Sequence, residues 1–132
     1  MESTDNERGS ATMFFIVLFF GLLIAIGLVV DGGIQTTAQQ ETRSVAEAAA
    51  RAGAGAVTGS TVSGGTPIVN PQAAQAAAQS YITAAGLSGS ASTSGTTVTV
   101  NVSKTSPTIF LGLLGITSLD STATASAEIL KR

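Results

Sequence analysis

Residues 9–33 read GSATMFFIVLFFGLLIAIGLVVDGG: a glycine, an apolar run, then an aspartate followed by two more glycines. From Ala11 to Val30 the run holds twenty residues without a charge. As a helix it is about 30 Å long, the thickness of a bilayer's hydrocarbon core. A cleavable signal peptide has a shorter apolar region, about 7–15 residues, followed by a small-residue cleavage site. Here the run ends in Gly27-Leu28-Val29-Val30-Asp31 with no good A-x-A site after it, and Arg8 stands among Glu2, Asp5 and Glu7. A retained anchor is therefore expected. The alternative, a buried core helix, needs more protein around it than a chain of 132 residues offers.

The rest of the composition narrows the function. Only 11% of residues are charged and the net charge is −2, so there is no basic face for nucleic acid. Cysteine and histidine are both absent. Disulfides, thiolate metal sites and the commonest general base are thereby excluded.

Beyond the run, IQTTAQQETRSVAEAAARAGAGAV (34–57) lacks proline and is rich in alanine, the best helix former. Gln35, Gln39, Arg43, Glu47 and Arg51 recur every four residues as a polar stripe, with Glu47 to Arg51 in the favourable i,i+4 order. Ile34, Ala38, Val45, Ala49, Ala52 and Ala56 form the other side, small enough for close approach. Gly32-Gly33 marks a place where the helix could bend. The expectation is one helix over residues 10–57, half in lipid and half a stalk.

A glycine- and serine-rich connection, 58–70, leads to a second helix that Asn70 caps, Pro71 opens and Gly86 stops. Its alanines and Tyr81 are expected to face the core, with Gln72, Gln75 and Gln79 outward. TTVTVNVS (96–103) alternates, placing Val98, Val100 and Val102 on one face. Ser106-Pro107 reads as the start of a short apolar helix or turn that ends near Gly115. SLDSTATASAEIL (118–130) alternates again, with Leu119, Ala123, Ala125, Ala127 and Ile129 on one face. The two strands suit an antiparallel pair, with a third strand near 88–94. The fold class is thus α+β: a long transmembrane-plus-stalk helix and a small head that leans on the stalk.

The order of Arg8-Gly9-Ser10, the span, Val30-Asp31-Gly32 and Val45-Ala46-Glu47-Ala48-Ala49-Ala50-Arg51-Ala52-Gly53-Ala54 resembles the TadE/TadG-like pilus-assembly proteins of tight-adherence, Flp-type secretion systems. The ending FLGLLGITSLDSTATASAEI is similar to that family's glycine–leucine turn and small-residue strand. The resemblance implies a pilin-like, single-pass protein of the bacterial inner membrane. Its segments would be a cytoplasmic 1–9, a membrane-and-stalk helix 10–57 and an exoplasmic head 58–132. Expected partners are the lipid bilayer and other pilus components or the chain itself, with no small-molecule substrate, cofactor or enzymatic activity. TadE-type members resemble type IV prepilins, cut after a glycine and carrying a glutamate five residues later. Here Phe14 stands five residues after Gly9, so an unprocessed, TadG-type form is expected. Long TadG members carry a large metal-binding adhesion domain, for which 132 residues leave no room. The alternative function is a signal-anchored exoplasmic binding module unrelated to pili.

Particular residues remain to be weighed. Asp31 either binds a partner or cation at the membrane exit or simply marks where water begins. Gly21 and Ala25 permit close helix pairing in lipid. Lys104 beside Ser103 and Ser106 has the residue types of a Ser–Lys dyad but is expected to be ordinary surface. Glu41, Glu47, Asp120 and Glu128 show no metal-ligand spacing. The Asn101-Val-Ser103 sequon is expected to carry no meaning in a bacterial protein. No catalytic, cofactor or metal residue is assigned. The apolar stretch Ile109–Ile116 is expected to be core, the alternative being a docking surface if it is exposed.

Overall fold

The structure, a computed structural model, describes residues 5–58 and 70–129. Helix α1 runs from Asp5 to Thr58 without interruption. The bend allowed for at Gly32-Gly33 does not break it. Thr36 and Thr37 donate their hydroxyls back to the carbonyls of Gly32 and Gly33, at 2.8 and 3.0 Å, without ending the helix there. Between residues 9 and 30 only Gly27 is buried.

Helix α2, Pro71–Ala84, begins as its sequence indicates. Asn70 Oδ1 accepts from the Gln72 and Ala73 N–H groups, and Pro71 occupies the first turn. Gly86 ends it in the left-handed conformation, φ 73°. Its buried row is Ala74, Ala78 and Ile82. Tyr81 lies one position off that row, about 100° round the helix, and is exposed, contrary to expectation. The connection expected at 58–70 falls, apart from its two ends, outside the described residues.

Three antiparallel strands follow in the order β1-β2-β3: β1 Ser88–Ser94, β2 Thr97–Pro107 and β3 Ser118–Glu128. The β2–β3 register runs from Thr97 opposite Glu128 to Pro107 opposite Ser118. The strand over 96–103 therefore extends to Pro107, and Ser106-Pro107 closes a strand instead of opening a helix. Val98, Val100 and Val102 point inward and are fully buried or nearly so.

The core lies between that valine face, α2 and the stalk half of α1. Ala46, Ala49 and Ala50 meet Ala74, Ala78 and Ile82 there. The stalk's buried stripe is Ala38, Thr42, Ala46, Ala49, Ala50 and Gly53, rotated from the side that the polar stripe alone indicates. Gly53 allows the closest approach: a Cβ there would stand 2.9 Å from the Ala74 carbonyl oxygen and 3.0 Å from Val98 Cγ1. Each fully buried valine or isoleucine is worth about 1.5–3 kcal/mol, and an alanine much less. The head's own contribution is small, and the stalk helix completes it. The expected α+β class holds, with the long helix, the second helix and the small sheet all in place.

Candidate functional site

Asp31 stands one residue beyond the apolar run, on the first turn of α1 outside it. Neither bare marker nor cation ligand describes what it does. The side chain is 2% exposed and its two oxygens face the connection between β2 and β3. Oδ1 accepts the Ile109 N–H at 2.9 Å, and Oδ2 accepts those of Phe110 and Leu111 at 3.0 and 2.7 Å. These donors open a 3-10 turn, Leu111–Leu114, which Phe110 precedes without any local side-chain cap. The first N–H groups of any helical turn lack internal partners. Here a carboxylate about 80 residues away in sequence satisfies them, the role that Ser106 was expected to play.

The clamp is also electrostatic. The Leu111 N–H does most to hold the Asp31 carboxyl below the usual carboxylate range; burial pulls the other way, and the Ile109 and Phe110 groups add to the lowering. Around it, Thr105 donates to Asp120 Oδ1 at 2.6 Å, and Gln35 Nε2 reaches the Asp120 carbonyl at 3.4 Å. Stalk and strand ends are thus tied at the same level.

The connection itself is not core. Ile109, Leu113, Leu114 and Ile116 are all exposed, Leu113 to 84% and Leu114 to 75%. The segment continues beyond the last β2–β3 pair, Pro107 opposite Ser118, and meets the apolar half of α1. Phe110 rests directly on Gly27; a Cβ at that glycine would come within 2.6–2.7 Å of the Phe110 side chain. Leu111, Leu113 and Leu114 border a groove of about 290 Å³ whose other wall is Phe20, Leu23, Ile24 and Leu28. Leaving four large aliphatic side chains in water forgoes about 1.5–3 kcal/mol each.

The other candidates resolve into structural contacts. Lys104 Nζ pairs with Glu41 of the stalk, which binds β2 to α1. Ser103 donates toward the Ser88 carbonyl at 3.5 Å, and Ser106 is buried. Arg43 Nε meets Glu47 Oε1 at 3.1 Å, so the stripe's ion pair forms one turn earlier than the Glu47–Arg51 order indicates. Thr124 donates to Asn101 Oδ1 across β2 and β3. Glu128 lies at the far end of β3, opposite Thr97. Among the described residues, no three carboxylates gather where a metal ion might sit. Gly21 has open space beside it.

A second groove, about 860 Å³, runs between the stalk's polar stripe and the outer edge of β3, from Thr122 to Ser126. It is open and of mixed character, bordered by Gln39, Arg43, Glu47 and Arg51 on one side and Ala123 and Ala125 on the other. Sequence reasoning missed the Asp31 clamp. The available signal was the pairing of an acid at the end of a span with a charge-free glycine–leucine turn, but contact between them is a tertiary fact.

The described span is one helix long and apolar enough to cross a membrane. No curated protein and no solved structure matches the chain. Span and stalk together, residues 9–56, match the family model Tad, described as putative Flp pilus-assembly TadE/G-like, and over those residues the first helix is similar to that family.

Proposed function

We propose that the protein is a membrane-anchored structural component of a Flp/Tad-type pilus or secretion assembly. The observation that carries this reading is the coincidence of the TadE/G-like match with a helix that is bare over its apolar half and covered over its stalk half. A core helix of a soluble protein would be buried along its length. Phe14, Phe15 and Val17 are instead exposed to 63–67%.

In this reading residues 1–9 lie in the cytoplasm, 10–57 form the membrane and stalk helix, and 58–132 form an exoplasmic head at the inner membrane. The partners are lipid and other assembly components, or further copies meeting through the apolar helix. Nucleic acid and small-molecule substrates are not among them. The role is mechanical, not catalytic: Lys104 is occupied by Glu41, and the carboxylate of Asp31 is spent on backbone donors.

Gly9 is left uncut. A new amino terminus at Ser10 would carry a charge into lipid, and an unpaired buried charge costs several kcal/mol. Asp31 lies about 25 Å from Phe14 along the helix at 1.5 Å per residue, and it is engaged elsewhere. Intact-mass measurement of the chain made with its own prepilin peptidase should find the first nine residues present. A species beginning at Ser10 would restore a processed, pilin-like role.

The test of the function is a deletion strain. Loss of surface filaments, regained when the intact chain is supplied on a plasmid, is the expected result. Filaments of unchanged number and length would sink the reading.

A further inference from the structure

The loop from Thr108 to Ile116 has no part in the proposed assembly role, and it exposes Ile109, Phe110, Leu113, Leu114 and Ile116 together. Resting on the reading of residues 11–30 as a span, we infer that this loop is a second membrane contact, its side chains sunk in the hydrocarbon of the exoplasmic leaflet beside the span.

Depth is the first argument. The groove wall from Leu28 to Phe20 covers about 12 Å of α1 at 1.5 Å per residue, all of it within the apolar run. A bilayer that covers the span covers this wall, and Leu113 and Leu114 stand on its other side. Whatever fills the groove touches the span at lipid depth.

Composition agrees. No charged residue occurs between Lys104 and Asp120, so insertion strips water from no ion. Lys104 and Asp120 themselves lie opposite or next to the strand ends, engaged by Glu41 and Thr105.

Backbone satisfaction is the third argument and the most demanding. Hydrocarbon offers backbone groups no water, so the polar groups of a loop whose side chains enter it need partners within the protein. Asp31 takes the N–H groups of residues 109–111. Thr108 donates to the Thr117 carbonyl, Leu113 to Phe110, Gly115 to Gly112 and Ile116 to Leu111. The Thr108 hydroxyl is spent on the Ile116 carbonyl. Seven of the loop's nine N–H groups thus have partners within the protein, while Ile109, Leu113, Leu114 and Ile116 present their side chains outward. Two membrane contacts on one rigid body fix the tilt and rotation of the head over the bilayer, which a single helix leaves free.

The chain contains no tryptophan, so single-tryptophan variants report one site each. The full chain would be reconstituted in phosphatidylcholine–phosphatidylglycerol vesicles with or without bromine on the acyl chains. Leu113→Trp should emit in the blue and lose as much intensity to brominated lipid as Val17→Trp in the span. Leu114→Trp, a second exposed site on the loop, should do the same if the first variant folds badly. Ser80→Trp on the exposed side of α2 should lose nothing. Quenching of Val17→Trp without quenching of either loop variant overturns the inference and leaves the span standing. Blue emission from the loop without bromine quenching, with the chain cross-linking to itself, would assign the groove to a second copy and also overturns it. No quenching at Val17 removes the span, and the inference falls with it.

Discussion

Between Ala11 and Val30, α1 carries methionine, phenylalanine, isoleucine, leucine and valine side chains that stand exposed, whereas from Ala38 to Gly53 its small residues are buried. Backbone and helix are continuous across the two halves. The half with the larger hydrophobic residues is the one that the head leaves bare, and the half with alanine is the one that it covers. Size explains the reversal. Close packing of α1 on α2 and the sheet favours small side chains at the contact, chiefly alanine and glycine, and the larger ones of the outer half have no such surface to fit. Gly27 is the exception in the outer half, buried because Phe110 sits on it.

If that division is right, a break in the stalk should hurt far more than any change in the span. Ala49→Pro removes a helix donor at a fully buried position and should cost about 3 kcal/mol or more, seen as loss of protease resistance of the head. Membrane retention through carbonate extraction should be unaltered. A head as resistant as the parent's would mean that it folds without the stalk.

Gly53→Val probes the same contact more gently. The added Cβ meets the Ala74 carbonyl and Val98, and overpacking of this kind costs about 1–3 kcal/mol. Gly55, with open space beside it, is the control. Gly55→Ala should be neutral or stabilising by up to about 1 kcal/mol. Equal thermal unfolding shifts for the two would refute the tight α1–α2 contact.

At the junction of the halves the effect should be local. Asp31→Ala leaves three backbone N–H groups without their acceptor, so amide exchange at Ile109, Phe110 and Leu111 should speed up while β2–β3 amides keep their protection. Acid should act in the same direction. The folded carboxyl titrates below its unfolded value of about 3.9, so its stabilisation is present above that pH and is lost as pH falls through the lower folded value. Unchanged exchange at those three amides in Asp31→Ala would remove the clamp.

The smallest effect belongs to the span. Val17→Leu in the exposed apolar stretch should change head stability by less than about 0.5 kcal/mol. A larger change would show that the outer half touches the head after all.

Much of this was readable from residues alone because the signals are local. Twenty uncharged residues announce a span, Asn70-Pro71 and Gly86 bound α2, and alternation around Val98–Val102 marks a strand face. The TadE/G-like order of motifs is also a property of consecutive residues. The locations of Tyr81 and Thr42 were not, since the buried stripe of a helix depends on what is laid against it. The same holds for the apolar loop. Its sequence reads as core, and only the placement of the β2–β3 connection beside the outer half of α1 leaves it exposed. Asp31 shows the limit most plainly. Its sequence position states that water begins there, but its work is to cap a turn some 80 residues away, because the fold brings unpaired N–H groups to within 2.7–3.0 Å of its oxygens.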